Sequence, residues 1–398
     1  MIGFSTKKNN NMPRANKRTK KTQFQNGGKF IDKGGFGCVV SPALPCSKKD
    51  KDKELHKLVS KIVKSPTKEI TNELKISGIL KKIDFQNKYF ITYNKYCNIN
   101  KIPENRNDII NVHYVNDSLS KFTISPGQSD KDSKSCDIEL SLRPINIIMS
   151  FAGYSLSTIM KTNKNSSGIK SIMHNEFIKN LKIYIKHLIL GIIKMHNNRI
   201  VHRDIKQKNI MLEYNKKTKK MTVKYIDFGL SDFLSSEYCS QYSNISIKGT
   251  PYYLPPENII IYYMNKYKNQ NDKNLLKHIL YHIEGYYKKA MTRIGKNQEI
   301  KLINNKILEL YKKIKYLWEK QKILPAYFGT EINKFNGYLQ KGDIYSLGLC
   351  IYETLYAYSK YNLDDNMLLN DLLQNMITID PDKRYNGIQC LAHKYFHS

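Results

Sequence analysis

Short apolar runs mark the first third of the chain, and longer helical periods mark the rest. Phe30–Ile31, Cys38–Val40 and Lys57–Val63 are brief stretches rich in β-branched or aromatic residues, which predicts strands. From Thr67 to Ile83 the apolar Ile70, Leu74 and Ile76 recur at near-helical spacing, predicting a helix. Residues 100–142 are polar and turn-rich, an insertion or long loop, and Ile145–Met149 then reads as a buried strand. Phe177, Leu181, Ile185, Leu188 and Ile192 fall on one face of a single long helix from Asn175 to Asn197. Asn258 to about Lys322 is helical too, most periodic around Ile303, Ile307, Leu310 and Ile314. Helical patterns separated by short turns continue from Asp343. Strands first and helices later predict an α+β fold in two lobes, 27–150 and 151–398, behind a polar basic arm at 1–26 that reads as disordered.

Composition narrows the function classes. Of 398 residues, 40% are hydrophobic and 25% charged, a globular balance. No apolar run approaches the roughly 18 residues of a membrane span, and the start of the chain lacks the apolar stretch of a secretory signal. Seven cysteines are scattered with no CxxC pair, so neither a disulfide framework nor a zinc knuckle is expected, and a reducing, intracellular and cytoplasmic setting follows. The net charge is +32, from 66 basic and 34 acidic residues. Only eight of the basic residues are Arg, the side chain whose planar fork reads phosphates and base edges. Lys, Asn, Ile and Tyr share AT-rich codons. The charge therefore predicts nonspecific, salt-sensitive association with polyanions rather than specific nucleic-acid binding.

The chemistry concentrates in two motifs. His202-Arg203-Asp204-Ile205-Lys206-Gln207-Lys208-Asn209 precedes apolar Ile210–Leu212, and Asp227-Phe228-Gly229 follows 18 residues after Asn209, behind the strand-like Val223–Ile226. Each motif sits at a strand-to-loop edge. In this order they resemble the catalytic loop and magnesium loop of eukaryotic-type protein kinases. The resemblance implies a two-lobed kinase fold, with a small antiparallel β lobe carrying one main helix and a larger, mostly helical lobe. It also implies ATP and Mg²⁺, or Mn²⁺ in its place, as cofactors and protein hydroxyls as substrates. In this reading Asp204 is the catalytic base and Lys206 meets the γ-phosphate. Asn209 and Asp227 supply oxygen ligands to the metal, and Gly229 lets the backbone turn sharply after the ligand. His202, Arg203 and Phe228 complete the two motifs.

Upstream, Ile31-Asp32-Lys33-Gly34-Gly35-Phe36-Gly37-Cys38-Val39 resembles the glycine-rich loop, with Asp32 in place of the first glycine. Ile31, Gly34, Phe36, Gly37 and Val39 are then nucleotide contacts. Lys61 and Lys64 both qualify as the phosphate-pairing lysine. Strand alternation favours Lys61, whose same-face neighbour two residues earlier is Val59 rather than the bulkier Ile62. Its partner glutamate is Glu73, with Glu69 one turn earlier as the alternative. Ser77 stands where the family packs an aliphatic side chain. Met149-Ser150-Phe151-Ala152 resembles the hinge, with Met149 behind the adenine and Ala152 beside it.

Downstream, Gly249–Glu257 resembles the end of the activation segment, with Thr250 in the substrate loop and Glu257 paired to Arg384 of Asp380-Pro381-Asp382-Lys383-Arg384. Asp343-Ile344-Tyr345-Ser346-Leu347-Gly348 matches the helix that anchors the catalytic loop. Between Glu257 and Asp343 lie 85 residues, a helical insertion over about 260–338. Lys206 and Thr250 fit the serine/threonine class. Arg203 implies an activation loop ordered by phosphate, with Ser231, Ser235, Ser236, Tyr238, Ser240, Tyr242, Ser243 and Ser246 as acceptors. The Lys, Asn and Ile bias, the insertions and the divergent glycine loop look like protein kinases of large cytoplasmic DNA viruses, which would place the protein in host cytoplasm or virion; AT-rich protists produce a similar composition. A kinase fold kept as a scaffold and a basic nucleic-acid binder are the competing readings.

Overall fold

A computed structural model describes residues 29–34, 37–47, 50, 55–63, 67–99, 110–115, 118–124, 136–139, 142–162, 168–234, 249–266, 272–296, 303–323, 328–356 and 366–398. The arm at 1–26, Phe36, Lys64 and the acceptor hydroxyls from Ser235 to Ser246 lie outside these residues.

The first lobe is an antiparallel sheet in the order β1-β2-β3-β8-β4. Its strands are β1 (Lys29–Gly34), β2 (Gly37–Ser41), β3 (Leu58–Val63), β4 (Tyr93–Asn98) and β8 (Ile145–Ser150). Helix α1 (Lys68–Ile83) packs beside it, its end capped by the Thr67 hydroxyl, with Glu69 in the first turn and Lys81 and Lys82 in the last. That charge order complements the helix dipole. Val63, Ile70, Ile145 and Ile147 close the space between sheet and helix.

Within 100–142, read as an insertion or loop, three strands form a separate antiparallel sheet: β5 (Ile110–Val115), β6 (Ser118–Ile124) and β7 (Cys136–Glu139). Cys46 and Cys97 are joined by a disulfide, tying the β2–β3 connection to β4, and Cys38 is also disulfide-bonded. Scattered positions in sequence become neighbours in the sheet, so the expectation of no disulfides is wrong. The compartment argument drawn from the cysteine count falls with it.

The second lobe is helical. After β9 (Tyr154–Ser155) and α2 (Leu156–Met160), the single helix expected from Asn175 to Asn197 is two: α3 (Ile169–Lys179) and α4 (Leu181–Asn197). Asn180 breaks them at φ −112° and ψ 30°, its amide donating to the Glu176 carbonyl and carboxylate. A short polar side chain that bonds nearby acceptors competes with helix continuation. The apolar period survives the break because Phe177 and Tyr184 stack across it at 5.5 Å.

The strands β10 (Ile200–Val201), β11 (Ile210–Asn215), β12 (Lys220–Tyr225) and β13 (Asp232–Phe233) carry the loops of interest. Next come α5 (Pro256–Lys266), α6 (Asp272–Arg293) and α7 (Ile303–Ile323). The 29-residue α8 (Phe328–Tyr356) follows, then α9 (Met367–Met376) and α10 (Gly387–Leu391). The insertion is part of the core: Ile279, Ile283, Met291, Ile307 and Leu310 are buried in the cluster that holds Ile192, Ile205 and Leu347. The lobes meet where the backbone at Tyr89 and Ile91 bonds both sides of Tyr225. No described helix is long and apolar enough to cross a membrane.

Candidate active site

Lys61 sits on the central strand β3, opposite Val39 of β2 and Ile147 of β8. Its ammonium donates to both Glu73 oxygens (2.7 and 2.9 Å) and to Asp227 Oδ1 (2.9 Å). Glu73 comes from α1 and is buried; Glu69 lies a turn away in the helix's first turn. Burial works against the Lys61 charge, but the two carboxylates outweigh it and hold its pKa above the ordinary value. Burial also pushes both carboxyls up. For Asp227 the Lys61 charge wins and the pKa falls. For Glu73, which also feels Asp227, burial wins and the pKa rises.

Asp343, buried in α8, organises the catalytic loop. It accepts the backbone N–H of His202 (2.8 Å) and of Arg203 (2.8 Å), and its Oδ2 meets His196 Nε2 at 3.0 Å. Burial alone would raise the Asp343 pKa, but the His196 hydrogen bond and the surrounding donors bring it below the carboxylate range. Held this way, Arg203 takes a left-handed φ of +67°, and Asp204 follows into a closed network. Asp204 Oδ2 accepts from Lys206 Nζ (2.7 Å) and Asn209 Nδ2 (3.0 Å), and Oδ1 accepts the Thr250 hydroxyl (2.7 Å). Lys206 also donates to Thr250 Oγ1 (2.8 Å).

The donor set fits a hard divalent cation. Asn209 spends its amide nitrogen on Asp204, donating to the backbone oxygen (2.8 Å) and to Oδ2, which fixes the carbonyl oxygen as its other end. Asp227 keeps its side chain about a third exposed. An amide oxygen and an ionised carboxylate are the ligand types Mg²⁺ prefers. The sharp turn expected at Gly229 belongs instead to Asp227, at φ +66°. Among the described glycines a positive φ occurs at Gly153, Gly168, Gly249 and Gly295, not Gly229. A Cβ at Gly229 would stand 3.4 Å from Glu73 Oε2, an ordinary contact.

Phe228 is buried edge-on to Phe90 (6.0 Å) and beside His202 (5.3 Å). Ser77, at the position of the expected aliphatic contact, instead accepts the Tyr93 N–H (3.1 Å). Ser231 is fully buried and donates to the His202 carbonyl, so it is not an accessible acceptor hydroxyl. Gly249 has φ +117°, and a Cβ there would lie 2.5 Å from the Arg203 carbonyl oxygen; only glycine passes this point. Arg384 and Glu257 are fully buried and paired through two hydrogen bonds (2.5 and 2.9 Å), with the remaining guanidinium donors on Thr378, Ile379 and Lys341 carbonyls.

In the first lobe, β1 and β2 form a hairpin in which Gly34 faces Gly37 and Ile31 lies at a bulge. A Cβ on Gly37 would come within 1.9 Å of the Ile62 carbonyl, so this glycine is needed for strand approach. Val39 and Met149 are half-buried on β2 and β8, and Ala152 lies in the short link to the second lobe.

Sequence reading missed His196, Asp232 and Arg293. Asp232 takes a buried ion pair from Arg203. Arg293, at the end of α6, pairs with Glu353 and covers the Tyr252 ring at 4.9 Å. Arg293 is one of only eight Arg in the chain, the one signal that could have drawn attention to it.

Residues 145–321 match the protein kinase domain as a sequence family. Serine/threonine-protein kinase Nek3 of Mus musculus is 40% identical over 96 residues, 24% of this chain and 17% of that protein. Calcium-dependent protein kinase 4 of Plasmodium falciparum is 44% identical over 73 residues, 18% and 13%. Mitogen-activated protein kinase kinase kinase A of Dictyostelium discoideum is 34% identical over 132 residues, 31% and 13%. The matched stretches thus span under a fifth of each relative's length.

Proposed function

We propose that this chain, which carries a eukaryotic-type protein kinase domain, transfers the γ-phosphoryl group of ATP to Ser and Thr hydroxyls of proteins. The observation that carries the reading is the joining of Asp204, Lys206, Asn209 and Thr250 in one hydrogen-bonded network, alongside Lys61, Glu73 and Asp227 in another. Bound MgATP supplies the transferable group and, through its metal, neutralises phosphate charge. Asn209 and Asp227 would hold the metal.

Asp204 sits where a hydroxyl can replace Thr250 on Oδ1, so that the carboxylate orients the acceptor and takes its proton. Lys206 bridges Asp204 and Thr250 and presents a cation at the point where negative charge develops. Lys61 is the fixed ammonium for the other phosphates, and Glu73 restrains its position. Thr250 and Lys206 together support the serine/threonine class. Protein substrates follow from the reaction, and the +32 charge supports loose association with polyanions.

The test is phosphate transfer from labelled ATP to casein with Mg²⁺. Wild type transfers; Asp204→Asn and Lys61→Ala each lose about a hundredfold or more in kcat/KM, and phosphoamino-acid analysis finds phosphoserine and phosphothreonine. Binding of MgATP without transfer by folded wild type would replace catalysis with a scaffold role.

A further inference from the structure

Arg203 is the residue before the catalytic aspartate, and the fold gives its side chain an anion. Its guanidinium donates to Asp232 Oδ2, with both side chains more than nine-tenths buried. A buried guanidinium without a counter-charge is strongly destabilising, and the left-handed φ of +67° at Arg203 persists only where surrounding structure enforces it. Asp343 holds this residue's backbone, and Asp232 holds its side chain.

Asp232 is itself placed rigidly. It belongs to β13, opposite Val201 of β10, and the preceding Ser231 donates to the His202 carbonyl (3.1 Å). Residues 201 to 203 are therefore gripped by 231 and 232 through a strand pairing, a hydroxyl bond and an ion pair in succession. Ser231, just before that strand, reaches the other network. Asn72, beside Glu73 on α1, donates to the Ser231 carbonyl at 2.6 Å. The short segment Ser231–Phe233 braces both the catalytic loop and the helix that positions Lys61.

We propose that Asp232 is a positioning residue, a built-in counter-ion that holds Arg203 and the catalytic loop in working geometry without a phosphate on residues 235–248. The inference rests on the phosphoryl-transfer reading above and replaces the sequence expectation that Arg203 awaits a phosphorylated loop. Kinase activation loops are ordered when a new phosphate meets an arginine; here a carboxylate of the fold already occupies that arginine.

Three measurements test it. A variant with Ser235, Ser236, Tyr238, Ser240, Tyr242, Ser243 and Ser246 replaced by Ala or Phe keeps kcat within about threefold of wild type, since a threefold change is under 1 kcal/mol. A loss of about thirtyfold or more, restored by acidic substitutions, would overturn the proposal. Asp232→Ala loses about a hundredfold in kcat, the scale of an ångström of misplacement, with little change in the KM for ATP or protein. Formate, which replaces the missing carboxylate, recovers part of that loss where chloride at equal ionic strength does not. Equal response to the two salts would count against Asp232 as the anion. The third measurement does not need activity: formate raises the melting temperature of Asp232→Ala more than that of wild type. If wild type transfers no phosphate, the functional reading fails, and this thermal comparison still decides the Arg203–Asp232 role. Equal shifts in both proteins would sink it.

Discussion

Lys61 serves two carboxylates at once, buried Glu73 and partly exposed Asp227, and their pKa values move in opposite directions around it. Glu73 is the costly partner, because burial and the neighbouring Asp227 both oppose its charge. Glu73→Gln removes a poorly solvated charge but keeps the shape and one acceptor. Because Asp227 still faces Lys61, the melting temperature is expected to stay within a few degrees of wild type, while kcat/KM falls about ten- to a hundredfold because Lys61 loses its restraint. A fall in stability with activity intact would contradict this division. Asp343 has the opposite balance. Its folded pKa lies below the unfolded value, so its contribution is fully present above about pH 4 and is lost as pH falls through the folded value. Asp343→Asn turns an acceptor toward N–H groups into a donor, costing about 2–4 kcal/mol at pH 7. Denaturant midpoints should show that gap narrowing toward pH 3. Much of this scale was legible in the sequence, since Asp204, Asn209 and Asp227 stand at fixed spacings and alternation separates Lys61 from Lys64. Asp232 and His196 were not. Their roles depend on a pairing between β10 and β13 and on a helix more than a hundred residues away, and neither leaves a local pattern.

At the scale of elements, period and composition located β1, β2, β3, β8, α1 and the helical insertion, because each has an apolar face to bury, but not the polar edge strand β4 (Tyr93–Asn98). They failed where a single residue decides continuity, as at Asn180, and where strands pair only with each other, as in the sheet of β5, β6 and β7. They also could not say what the insertion touches. Helix α6 ends at Arg293, whose guanidinium lies on Tyr252 and pairs with Glu353, while Glu353 also accepts the Tyr253 hydroxyl. The insertion thus supports the same short turn, Pro251–Tyr253, that follows Thr250. Ile283, Tyr286 and Tyr287 of α6 line a hollow against Pro251, Leu254 and Pro256. Arg293→Ala removes one half-exposed cation–π contact and one ion pair, about 1–2 kcal/mol together. Because those contacts hold the turn that follows Thr250, which the proposed function puts beside the acceptor, the KM for protein is expected to rise several-fold while the KM for ATP stays near wild type. Arg293→Lys should recover only part of the effect, since an ammonium lacks the planar stacking face. Equal changes in both KM values would mean that the insertion acts only on global stability.

The molecule as a whole carries 32 more positive than negative charges, and its energetics divide by burial. Exposed lysines repel one another through solvent, where salt screens charges beyond about 10 Å at 0.1 M. The pairs that set the site are shielded from that screening: Arg384–Glu257 is fully buried and Lys61–Glu73 nearly so. Raising NaCl from about 20 to 300 mM should then relieve repulsion on the surface without weakening the interior pairs. The expected result is a melting temperature that rises by several degrees over this range while kcat on a neutral peptide stays level. The KM for an acidic peptide should increase in the same titration, because the attraction that gathers it is the screened component. Partly exposed ion pairs such as Lys95–Asp50 and Lys313–Asp380 work the other way, but each is worth at most about 1 kcal/mol against repulsion summed over the whole surface. A melting temperature that falls with salt would show that local pairs, not net charge, govern this surface.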